Sequence, residues 1–136
     1  MTGVSELIRK EEDGTISFGN HTLEAKAKKE DFEYKGDLYK VKTYKTMTKL
    51  EKNGMFVYES VPGTSVLNFE ETESGVNFLV AGEEDAQITV ELAEDTEYDV
   101  AVADHYVGKM KTNLGGKLNI SVELVGAGEV KVSITK

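Results

Sequence analysis

His21 and His105 are the only histidines in the chain, and cysteine is absent, so nucleophile–base pairs and soft-metal sites have few residues to draw on. His21 stands in Gly19-Asn20-His21-Thr22 and His105 in Ala103-Asp104-His105-Tyr106. Both settings are turn-like, where a polar histidine needs no catalytic explanation, and no Gly-x-Ser-x-Gly elbow accompanies either. Without cysteine, disulfide frameworks, iron–sulfur clusters and thiol nucleophiles are excluded. Leu114-Gly115-Gly116-Lys117-Leu118 lacks the spacing of a phosphate-cradling loop.

Carboxylates are plentiful, at 25. Glycosidases need two of them placed about 5–9.5 Å apart, and one-dimensional spacing singles out no such pair, so a glycan-active enzyme built on a carboxylate pair stands third among the functional readings. Hard cations suit acidic loops better, because calcium takes six to eight oxygens. The expected metal ligands are Glu94, Asp95, Glu97, Asp99 and Asp104, with Glu83-Glu84-Asp85 as a second acidic run; neither set matches an EF-hand loop. Tyrosines could stack on sugar rings. Tyr34, Tyr39 and Tyr44, in a lysine-rich stretch, together with Tyr58, are the expected carbohydrate-binding residues, with calcium ordering the acidic loops. Tyr98, after Asp95-Thr96-Glu97 and before Val100 and Val102, resembles the tyrosine that locks a sandwich corner, a structural role.

The elements that must position these residues are strands. Apolar residues fall on every second position in Leu118-Asn119-Ile120-Ser121-Val122-Glu123-Leu124, and the pattern recurs at Val130, Val132 and Ile134, at Ile88, Val90 and Leu92, and at Tyr98, Val100 and Val102. Asn53-Gly54 supplies the positive φ of a two-residue hairpin, Ser74-Gly75 separates another pair of strands, and Asp104-His105 turns a third hairpin. Asn113–Gly116 and Gly126–Gly128 bound the last two strands, while Pro62-Gly63, with the sole proline, marks a crossover between sheets. Residues 23–30 alternate at 23, 25 and 27 and read as strand, with a short helix as the competing assignment. About ten short strands at 8–12-residue spacing predict an all-β fold, a two-sheet β-sandwich of jelly-roll-like or immunoglobulin-like type, spanning 1–136 as a single domain.

The net charge is −9, from 16 basic and 25 acidic residues, and it opposes binding to nucleic acid or anionic membranes. Its distribution is uneven. Residues 61–108 hold 12 carboxylates and no lysine or arginine, whereas lysines crowd positions 26–52. No run approaches the roughly 18 apolar residues that span a bilayer, and the charged N-terminal stretch has no signal-like segment, so a cytoplasmic location is expected.

Leu7-Ile8-Arg9, Gly14–Asn20, Gly36–Thr43, Glu51–Gly63 and Gly108–Leu118 together resemble a group of small, single-domain bacterial proteins labelled "endosialidase". The resemblance covers nearly the whole chain and brings no catalytic motif with it; it implies at most an association with glycans. Propeller sialidases hold the substrate carboxylate with three arginines, and this chain has only Arg9, so it is not a sialidase of that design. The expected function is a non-catalytic binding or assembly module that self-associates or docks on a protein partner, a reading motivated by the charge asymmetry. A carbohydrate-binding module is the alternative.

Overall fold

The computed structural model describes residues 3–136, which form thirteen strands in two antiparallel sheets, a two-sheet β-sandwich. The first half supplies β1 (Ile8–Lys10), β2 (Ile16–Phe18), β3 (Ala27–Tyr34), β4 (Asp37–Tyr44), β5 (Met47–Lys52) and β6 (Met55–Val61). The second half supplies β7 (Ser65–Thr72), β8 (Gly75–Ala81), β9 (Ala86–Glu91), β10 (Glu97–Val102), β11 (His105–Lys111), β12 (Lys117–Val122) and β13 (Val130–Thr135). The seven-stranded sheet runs β1-β2-β7-β8-β13-β10-β11 and the six-stranded sheet β12-β9-β6-β5-β4-β3. No helix among the described residues is long and apolar enough to cross a membrane.

Period-2 alternation places one face of each strand in the core. In β12, Leu118, Ile120 and Val122 are buried while Asn119 and Ser121 face outward. Phe18, Tyr58, Phe69 and Phe78 meet mostly edge-to-face at the centre, with ring centroids 5.2–6.3 Å apart. Each such ring contributes about 1.5–3 kcal/mol through burial. The Asn53-Gly54 turn joins β5 to β6 with φ of 52° and 79°, the left-handed pair that a two-residue hairpin requires.

Pro62-Gly63 carries the chain from β6 in one sheet to β7 in the other, as expected of the sole proline. Gly63 is required there because a Cβ would sit 1.9 Å from the Tyr44 carbonyl oxygen. Buried hydroxyls tie this crossover down. The Tyr58 hydroxyl and Ser60 Oγ each lie 2.8 Å from Thr64 Oγ1, and Thr48 Oγ1 donates to the Thr64 carbonyl at 2.8 Å.

Three expectations shift. The β10–β11 turn has its positive φ at Ala103 and Asp104, so His105 already opens β11. Strand in the 23–30 segment begins only at Ala27. Strands number thirteen rather than about ten, in part because β1 and β2, at three residues each, are too short to display alternation.

Candidate functional site

The tyrosines expected to bind sugar do not form a platform. Tyr58 is fully buried at the core centre, where its ring touches three phenylalanines, so no ligand reaches it. Tyr39 is buried too, its ring lying edge-on to Tyr34 at 5.7 Å. For both, burial pushes the phenol well above its ordinary value. Both positions are inward because β4 and β6 alternate, and tyrosine fits a sheet interior when its hydroxyl finds a partner. Tyr34 and Tyr44 are half-buried: Tyr34 donates its hydroxyl to the Gly14 carbonyl, and Lys26 Nζ sits 6.0 Å from the Tyr44 ring. They stand at opposite ends of the β3–β4 hairpin, roughly 20 Å apart at about 3.3 Å per residue.

The acidic set disperses in the same way. Glu94 and Asp95 precede β10 and Asp104 follows it, so the strand length separates them. Asp99 accepts from Lys109 Nζ at 3.1 Å and from the Tyr106 hydroxyl at 2.9 Å, contacts that hold its carboxyl below the ordinary range. Asp95 pairs with Lys111 Nζ at 3.2 Å, and Glu97 stands opposite Lys111 in the register. Among the described residues no three His, Asp or Glu side chains converge to hold a metal ion. Of the five expected ligands, Asp95 and Asp99 are instead paired with the β11 lysines Lys111 and Lys109, which sequence spacing could not place beside them.

Two other features gather functional groups. The first is a cleft of about 370 Å³ at one end of the sandwich, lined by His21, Lys45, Thr46, Val61, Pro62, Gly63, Glu83 and Glu84. Its position follows from local bonding: the Asn20 N–H donates to Thr43 Oγ1 at 2.8 Å, and the His21 N–H to Ser65 Oγ at 3.2 Å. His21 Nδ1 lies 2.7 Å from the same Ser65 oxygen. Burial lowers the proton affinity of the imidazole, partly offset by the negative charge of Glu83. A serine–histidine contact suggests nucleophilic chemistry, yet Ser65 is fully buried, so no substrate carbonyl approaches its oxygen. The pair is a structural tie between the His21 turn and β7. Glu83 and Glu84 stand on one wall as chain neighbours, which is not the opposed arrangement a glycosidase needs.

The second is the sandwich flank where β11 and β12 end their sheets. Edge strands expose unpaired backbone groups, and folds protect them with shortness, charge or bulges. β1 has three residues; β3 carries Lys28, Lys29, Glu30 and Glu33 and breaks register before Phe32; β11 bulges against β10. β12 has none of these protections over Asn119–Val122, and its six residues pair with β9 without interruption. Lys117 turns its N–H and C=O away from β9, to Asn113 Oδ1 at 2.9 Å and the Asn113 N–H at 3.1 Å. By antiparallel alternation the N–H and C=O of Asn119 and Ser121 also point outward, and no strand among the described residues pairs with them. Beside that edge runs a groove of about 280 Å³, lined by Val100, Val102, Val107, Met110, Asn119, Ile120 and Ser121. Val107 is 58 % exposed, and a Cβ built on Gly108 would meet nothing within 4 Å. The sequence hid this groove because 106–111 reads as ordinary strand; the one signal was Val107-Gly108, which breaks the alternation.

No protein-family model, curated protein or solved structure matches this chain. The functional reading rests on the geometry.

Proposed function

We propose that the chain is a non-catalytic binding module that docks on a partner protein by accepting one extended segment of it as an extra strand beside β12. The observation that carries this is the combination of free backbone groups at Asn119 and Ser121 with an apolar groove next to them. Strand addition draws affinity from main-chain hydrogen bonds and specificity from alternate side chains. Inward side chains of the added strand would rest on Val107, the open space over Gly108, and Met110; outward ones would flank Asn119 and Ser121.

The test is fluorescence anisotropy with labelled octapeptides that alternate valine with glutamate or threonine, against scrambled peptides of the same composition. The alternating peptides should bind the full chain, the scrambled ones should not, and Ser121→Pro should weaken binding roughly tenfold or more by deleting an outward donor. Met110→Lys, which charges the groove, should do the same. Absence of binding by every alternating peptide at millimolar concentration, or binding indifferent to both substitutions, defeats the proposal. Self-association through β12 would appear in the same samples as a concentration-dependent dimer lost in Ser121→Pro, and would replace the partner segment with a second copy.

A further inference from the structure

We infer that the outer face of the six-stranded sheet binds an acidic peptide segment of a partner protein, laid across β3, β4 and β5 on a row of lysines. These strands lie at the opposite side of the sheet from β12, so the inference stands apart from strand addition there.

Cross-strand register builds the row. Lys28 stands opposite Lys42, and Lys42 opposite Lys49, so three like charges lie abreast on three neighbouring strands. Their side chains point away from the core, because Val41, Thr43, Thr48 and Leu50 between them are buried inside it. Like charges directly opposite one another destabilise a sheet. The surrounding lysines are paired, Lys40 with Glu30, Lys45 with Glu24 and Lys52 with Glu71. Among the described residues Lys28 and Lys42 form no ion pair, and Lys49 reaches Glu51 only at 3.9 Å. Glu59, opposite Lys49, ends the row. Lys26 adds a fourth charge, with its Nζ 6.0 Å from the ring of Tyr44, which shares the outer face of β4 with Lys42. An uncompensated basic row in a chain of 25 acidic and 16 basic residues is a local cost that a bound anion offsets.

The chemistry of the face selects the anion. Stacking of bases or sugars needs open aromatic faces, whereas Tyr44 is half-buried beside Lys26, and Phe56 has Lys49 at 6.0 Å and Lys117 at 4.8 Å from its ring. The planar fork that grips phosphate in two places is absent, since the one arginine, Arg9, lies on β1 of the other sheet. A net charge of −9 further opposes a nucleic-acid backbone. Ammonium groups are point charges that suit separate carboxylates. With neighbouring strands about 4.8 Å apart and an extended chain advancing about 3.3 Å per residue, roughly four residues rich in aspartate or glutamate cover the row.

The test titrates labelled hexaglutamate with the full chain by fluorescence anisotropy, with hexaglutamine as the uncharged control. Hexaglutamate should bind saturably at millimolar concentration or below and release as salt is raised, and hexaglutamine should not bind. Lys28→Gln with Lys42→Gln should weaken binding roughly tenfold, the effect of two surface ion pairs. Lys131→Gln, an exposed lysine on β13 of the other sheet, should change it less than about twofold. A second readout needs no ligand: Lys42→Gln should raise the Tm of the free protein, because it relieves the repulsion on both sides of the row. Absence of saturable binding, an equal loss in Lys131→Gln, or a Tm lowered by Lys42→Gln overturns the inference. Tighter binding of an oligothymidylate or of polygalacturonate than of hexaglutamate also overturns it, in favour of a nucleic acid or an acidic glycan.

Discussion

The phenol of Tyr58 illustrates how a side chain suited to a sugar platform becomes a structural part. Its hydroxyl reaches Thr64 in the crossover, and Thr64 also meets Ser60 and Thr48, so the ring spans from the aromatic centre to the loop that switches sheets. Tyr58→Phe should cost about 1–2 kcal/mol, the usual loss when one buried hydrogen-bond partner is removed, read from urea denaturation midpoints. His21 is held neutral by burial, so the unfolded chain takes up its proton first as pH falls. Its contribution to stability is present above the unfolded value of about 6.5 and is lost as pH drops below it toward the depressed folded value, with a slope of at most about 1.4 kcal/mol per pH unit. Urea midpoints between pH 8 and 5 should show this decline, and His21→Gln should flatten it.

At the scale of strands and turns, much was legible because it rests on local chemistry. Alternation at Leu118–Val122 and Val130–Ile134 identified β12 and β13, Asn53-Gly54 gave its hairpin, and Pro62-Gly63 its crossover. Tyr98 is buried and accepts the Ala93 N–H at 3.1 Å, the corner role its spacing suggested. What stayed illegible depends on partners distant in the chain. The register that sets Lys109 against Asp99 and Lys111 against Glu97, and so dismantles the calcium set, is fixed by sheet pairing. The phase that turned Tyr39 and Tyr58 inward follows from which face meets the other sheet, and the exposed β12 edge follows from strand order. Gly63→Ala should destabilise by about 2 kcal/mol or more, since the Cβ would press on the Tyr44 carbonyl and only backbone movement relieves it. A Tm within about a degree of wild type would show that the crossover adjusts freely.

Across the whole molecule, lysines gather on β3, β4 and β5, while the acidic stretch divides between the two ends, the Glu83–Asp85 loop at one and Glu70 and Glu71 of β7 with Glu94 and Asp95 toward the other. With 25 acidic against 16 basic residues, self-repulsion opposes the folded state, and salt screens it. Raising ionic strength should therefore raise Tm by a few degrees; a fall would mean that pairs such as Lys117–Glu91, 3.0 Å apart, outweigh the net charge. Among the described residues the two sheets enclose one core and leave one lightly protected edge, on which the proposed docking role stands. Amide hydrogen exchange at Asn119 and Ser121, measured with and without an alternating valine–glutamate octapeptide, tests it most directly. Both amides should exchange rapidly in the free protein and slow at least about tenfold on binding, while the β9-facing amides of Leu118 and Ile120 stay unchanged. Exchange at Asn119 and Ser121 that the bound peptide leaves unaltered would contradict strand addition at β12.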